Sequence, residues 1–116
     1  MKLFKTVLCA IALATVSLGA AAQRLPADAL RVDESHLDAG AGLGFGVILG
    51  TATNTTAEPI GNVLVKINLL DAQGNLVGNT LANANNLAPG QTWHFKAPVI
   101  ADRVASYQIV DVILYR

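Results

Sequence analysis

Residues 61–70, GNVLVKINLL, alternate in character: Val63, Val65, Ile67 and Leu69 fall on one side of an extended chain, Lys66 and Asn68 on the other. A two-residue period is that of a β-strand with one face in a core. Leu64 and Leu70 interrupt the alternation, which predicts an outer face that is partly covered near the strand ends. Similar runs rich in Val, Ile, Leu and Thr occur at Phe45–Thr53, Leu76–Leu81, Gln91–Ala97 and Ser106–Tyr115, with a further one at Ala29–Leu37. In the first of these, Gly46 and Gly50 sit between larger residues and leave room for a neighbouring strand or a bulge. No stretch sustains apolar spacing at i, i+3 and i+4 long enough for a helix. The pattern predicts an all-β chain.

The segments between these runs carry turn chemistry. Asp71-Ala72-Gln73-Gly74-Asn75 predicts a hairpin, because aspartate bonds backbone two residues on and Gly74 adopts positive φ without a steric cost. In Ala88-Pro89-Gly90, Pro and Gly fit the second and third positions of a type II turn. Asn54-Thr55-Thr56-Ala57-Glu58-Pro59 breaks one strand, and Pro98, which has no N–H to donate to a ladder, is expected to end another. Asn79, Asn83, Asn85 and Asn86 read as turn residues whose amides satisfy nearby backbone. Ser106–Tyr115 is apolar on both faces: Tyr107, Ile109, Ile113 and Tyr115 alternate with Val110, Val112 and Leu114. Such a strand belongs near the middle of a sheet or carries a bulge. Six or seven strands separated by turns predict a small antiparallel β-sandwich of the immunoglobulin-like kind.

The first residues follow a different rule. Lys2 and Lys5 precede an apolar run from Val7 to Leu18, and Gly19-Ala20-Ala21-Ala22 supplies small residues ahead of Gln23. That order predicts a secretory signal peptide over residues 1–22, removed after Ala22. Its apolar run is shorter than the ~20 residues of a membrane-spanning helix, so no stable membrane insertion is expected after cleavage. Cys9, the chain's one cysteine, lies near the start of that run and leaves with it. The expected mature chain therefore has no disulfide, no thiolate nucleophile and no zinc–thiolate site. It keeps six basic residues against eight acidic ones, and the basic residues are scattered. This pattern predicts no nucleic-acid partner. The domain organisation expected is a leader at 1–22, an N-terminal segment at 23–43 able to hold a first strand, and a sandwich domain at 44–116.

With the hairpin and the Pro-Gly turn placed, a family resemblance emerges. Residues 65–75, VKINLLDAQGN, resemble the signature of the FxLYD domain family; Leu69 and Asp71 match it, while Ile67 stands for the Phe and Leu70 for the Tyr. Residues 86–98, NLAPGQTWHFKAP, with 105–109, ASYQI, are similar to the family's second half, and 50–54, GTATN, to its opening strand and asparagine turn. The resemblance implies an exported immunoglobulin-like sandwich of cell-envelope proteins. It implies no reaction, ligand or catalytic residue.

Candidate chemistry is sparse. Asp33-Glu34-Ser35-His36-Leu37-Asp38 is the densest polar cluster, and in an extended chain Glu34, His36 and Asp38 share a face. Carboxylates with imidazole can hold zinc or another divalent ion, which makes these three the candidate metal ligands. Ser35 and His36 point to opposite faces and form no dyad. No nucleophile elbow, His-Glu-x-x-His pair or phosphate loop occurs, so no enzyme and no cofactor are expected. Asn54-Thr55-Thr56 fits the glycosylation pattern and is read as a turn. Trp93 and Phe95 share a strand face, with the core as their expected place, and His94 takes the exposed face. The function expected is that of a non-catalytic exported module, periplasmic or secreted. It would be an interaction or structural component of the cell envelope, binding an envelope or extracellular protein, or its own copy through a sheet edge. The alternative is a metal or small-ligand binder built on Glu34, His36 and Asp38.

Overall fold

The structure, a computed structural model, describes residues 23–39 and 46–116. The expected signal peptide lies outside the described residues. Among the described residues, seven strands form two antiparallel sheets: β1 (Arg24–Leu25), β2 (Leu30–Asp38), β3 (Gly46–Asn54), β4 (Ile60–Leu70), β5 (Leu76–Leu87), β6 (Thr92–Val99) and β7 (Ser106–Tyr115). The four-stranded sheet has the order β1-β7-β4-β5 and the three-stranded sheet β2-β3-β6. The chain is thus the antiparallel β-sandwich that its patterning predicts. β2 pairs with β3 along its length, so residues 30–38 are part of the same sandwich.

The core lies between the sheets and follows the two-residue period. Val63, Val65, Ile67 and Leu69 of β4 are buried, as are Leu114 of β7 and Ala82 of β5 in the same sheet. Ile48, Ala52, Phe95 and Ala97 face them from the other sheet. Among the described residues Phe95 is the largest fully buried side chain, and its ring lies under Gly50, whose missing Cβ makes the room. Trp93 is half-buried beside it, ring centroids 5.3 Å apart. His94 is exposed between the two, as alternation requires.

Two turns take the expected form. Gly90 has φ 74° and the Gln91 N–H donates to the Ala88 carbonyl at 3.0 Å. Gly74 has φ 84°, and the Asp71 carboxylate accepts from the backbone N–H groups of Gln73 and Asn75 at 2.9 and 2.8 Å. The Asn75 N–H, followed by that of Gln73, holds the Asp71 carboxyl below its ordinary value of 3.8. A carboxyl depressed by folding contributes stability above its unfolded pKa and loses it as pH falls through the folded value. Thermal unfolding measured across the acid range should therefore show a steeper fall in Tm for the wild type than for Asp71→Asn.

Four local expectations are corrected. β5 continues to Leu87 instead of stopping at Leu81, because Ala82 and Ala84 turn inward while Asn83 and Asn85 turn outward, which is strand alternation with small core residues. Asn79 likewise faces outward and bonds Asn68 across the ladder at 2.7 Å. Of the four asparagines, only Asn86, with φ 59°, has turn-like backbone. Pro98 does not end β6; it pairs in register with Val47, and β6 is the outer strand of its sheet, where a missing N–H leaves no ladder bond unmade. In β7 a register shift opposite Lys66 and Ile67 makes Val110 an extra residue. The bulge reverses the alternation, so Tyr107, Ile109, Val112 and Leu114 face inward, and Ile113 and Tyr115 outward.

Candidate functional site

Three surfaces gather the chain's unusual side chains. The first is the outer face of the three-stranded sheet. Register places Glu34, Thr51 and His94 in one row, His36, Leu49 and Lys96 in the next, and Asp38, Val47 and Pro98 in a third. Glu34, His36 and Asp38 therefore share the face that the sequence predicts. The pairing adds the chain's second histidine to it, which no local signal could reveal because His94 is distant in sequence. The first two rows line an open hollow of about 350 Å³. Successive outward positions on a strand are roughly 6.7 Å apart, so the three β2 positions span roughly 13 Å from Glu34 to Asp38. Among the described residues, no group of three or more His, Cys, Asp and Glu side chains could hold a metal ion.

A bulge at Asp33 sets the top of this face. Arg31 donates to the Asp33 carboxylate and the Thr53 hydroxyl donates to it at 2.7 Å. These bonds, Arg31 first, hold the Asp33 carboxyl below its ordinary range, which keeps it an ion-paired acceptor and not a proton donor. Thr53 also contacts the Thr92 hydroxyl at 3.0 Å, so the row is tied across all three strands.

The second surface is the free edge of β7. β4 pairs with β7 from Tyr115 to Ser106, whereas β1 pairs only with Tyr115 and Leu114. The chain then leaves at Pro26, passes through a 3-10 turn at Ala27–Ala29 and joins the other sheet as β2. Among the described residues, no strand lies beside 106–113 on this edge. The sandwich is open there: Val32 and Leu37 of β2 and Tyr107, Ile109 and Val112 of β7 are half-buried. A clasp, Ser35 Oγ to Tyr107 OH at 2.6 Å, joins the sheets across this opening.

The third surface is the outer face of the four-stranded sheet. It presents Leu64, Lys66 and Asn68 from β4, Asn79, Leu81, Asn83 and Asn85 from β5, and Asp111, Ile113 and Tyr115 from β7. Leu81 and Val110 are each 47% exposed, high for aliphatic side chains. Lys66 and Asp111 are the charges of the β4–β7 part of this face and are register partners, yet among the described residues they form no ion pair.

The Asn54-Thr55-Thr56 sequon belongs to none of these surfaces. Asn54 is fully buried. Its amide nitrogen donates to the carbonyls of Glu58 and Leu87 at 2.8 and 3.0 Å, and its amide oxygen accepts from the N–H and hydroxyl of Thr56 at 2.9 and 2.7 Å. Every polar atom of that side chain is committed to the fold.

No family model matches the chain, and no curated protein matches it. Among solved structures it is similar to one titled as the structural characterization of IrmA from Escherichia coli, at 14% identity over 72% of each chain with a TM-score of 0.50. At that identity the likeness concerns the fold alone, and it agrees with the two-sheet sandwich described above.

Proposed function

We propose that the chain is a non-catalytic, exported interaction module of the cell envelope that receives an extended segment of a partner protein along the free edge of β7. The observation that carries this reading is the mismatch between the strand and its neighbours. β7 runs beside β4 along its length and turns Tyr107, Ile109, Val112 and Leu114 inward, yet β1 covers only its last two residues. An uncovered edge offers backbone donors and acceptors to a new strand, and the half-buried Val32, Leu37, Tyr107 and Ile109 offer apolar surface to its inward side chains. The leader-like residues 1–22 and the resemblance of residues 44–113 to FxLYD domains support export and an envelope setting.

The test covers the edge from within. A short Gly-Ser linker and an alternating Val-Thr strand fused after Arg116 can fold back along residues 113–106. Slowed amide exchange in β7 establishes that the edge is filled. The wild type is expected to retain an envelope partner in a pull-down, and the fused variant to lose it. Equal retention by both rejects edge addition.

A further inference from the structure

We infer that the outer face of the four-stranded sheet is a docking surface for a second copy of this chain, the two sheets packing face to face about a two-fold axis. The face is complementary to itself. β4 and β7 run side by side, with Asn62 opposite Tyr115, Leu64 opposite Ile113, Lys66 opposite Asp111 and Asn68 opposite Gln108. A two-fold axis along the strands, midway between β4 and β7, exchanges the two members of every such pair. Each residue of β4 then meets the β7 residue of its own row on the other copy.

The chemistry of the rows suits that exchange. Leu64 meets Ile113, apolar against apolar. Asn62 meets Tyr115 and Asn68 meets Gln108, and each of these pairs can share a hydrogen bond. Lys66 meets Asp111 twice, once on each side of the axis. The two charges are free for this role because they form no ion pair within the chain among the described residues. Hollows of about 450 Å³, lined in part by Asn68, Asn79, Leu81 and Val110, and about 340 Å³, lined in part by Asn62, Leu64, Asn83 and Ile113, lie on either side of the Lys66–Asp111 row. They give the aliphatic side chains of a facing sheet somewhere to seat. On the other sheet's outer face the rows match less well: a two-fold along β3 would set Glu34 against His94 but Asp38 against Pro98.

Self-complementarity makes the experiment decisive. Lys66→Glu sets a new carboxylate against the other copy's Asp111 at both contacts, and Asp111→Lys places two ammonium groups together at both. Each variant should associate roughly tenfold to a hundredfold more weakly than the wild type in sedimentation equilibrium, two attractive pairs having become two repulsive ones. An equimolar mixture of the two variants forms a heterodimer in which the two charge-swapped chains offset one another, and its association should return towards the wild-type strength. A purely intrachain role for Lys66 and Asp111 cannot be rescued by mixing. A monomeric wild type at high micromolar concentration overturns the inference, as do single variants that associate normally or a mixture no stronger than its components.

Should a charge variant fail to fold, the same geometry is read by crosslinking, because the described residues contain no cysteine. A mixture of Leu64→Cys chains with Ile113→Cys chains is expected to form mixed disulfide dimers well above self-crosslinking of either alone. Equal crosslinking in the separate and mixed samples overturns the arrangement. This inference does not depend on the β7 edge: the fused strand that fills that edge leaves the face open, so the two tests fail independently.

Discussion

Replacement of Asn54 by alanine is expected to lower stability by about 2–4 kcal/mol, because the Leu87 carbonyl loses the Asn54 donor, the Glu58 carbonyl keeps only that of Thr56, and the Thr56 N–H and hydroxyl lose their acceptor at a buried site. For a domain of this size that corresponds to a fall in Tm of roughly 10–25 °C, measurable by calorimetry or circular dichroism. The effect is large because Asn54 ties separate parts of the chain. Its side chain joins β3 to the 55–59 turn and to the end of β5, while its backbone donates to Gln91 and accepts from Gly90. Asn54→Asp separates the two halves of the amide. It keeps the acceptor for Thr56 but sets carboxylate oxygen against the Leu87 and Glu58 carbonyls. That variant should be weaker at pH 7 than near pH 4, where a protonated carboxyl can again donate. An Asn54→Ala variant within about 0.5 kcal/mol of the wild type would show that this network is dispensable.

A second large effect is expected where Phe95 passes beneath β3. A Cβ at Gly50 would overlap Phe95 Cζ and lie 2.5 Å from its Cε2 and 2.8 Å from the Glu34 carbonyl oxygen. Nothing at these distances is tolerable, and Gly50→Ala must shift either the ring or the strand pairing. We expect a loss of about 1–3 kcal/mol from overpacking, rising for Gly50→Val. Phe95→Leu alone should also destabilise, by removing aromatic burial from the centre of the core. The double variant Gly50→Ala/Phe95→Leu should cost less than the sum of the two, since the smaller side chain vacates the space the methyl needs. Additive losses would mean that the ring is not what excludes a side chain at Gly50.

These two sites bear on what the sequence makes legible. Alternation is visible from Val63 to Leu69 because β4 there buries one face and leaves the other partly or fully exposed. The Pro-Gly turn and the Asp71–Asn75 hairpin are legible because glycine and proline act through their own backbone geometry. Gly50 is recognisable as a place where a neighbour approaches, although its partner, Phe95, comes from a strand distant in sequence. Asn54 reads as an ordinary turn asparagine, since nothing in its neighbours announces burial. Asn83 and Asn85 mislead in the opposite direction: their turn propensity is real, but the ladder to β4 and the inward alanines outweigh it. The apolar run of β7 announces a bulge or a central place but not where a bulge falls, so the sequence alone does not tell which residues face outward beyond Val110. The sequence does bring Glu34 and His36 together, because they share a strand. His94 joins their face, and Asp111 comes beside Lys66, only through register, which is a property of the whole sheet.

At one end of the sandwich the Arg116 N–H donates to the Gln23 carbonyl at 2.9 Å, with Arg24 lying over the Tyr115 ring at 6.0 Å. The first and last described residues of the sandwich are therefore held side by side. Such a unit can be circularly permuted, its ends linked and new ones opened in the exposed 72–75 turn, or spliced into a surface loop of a host protein without stretching either partner.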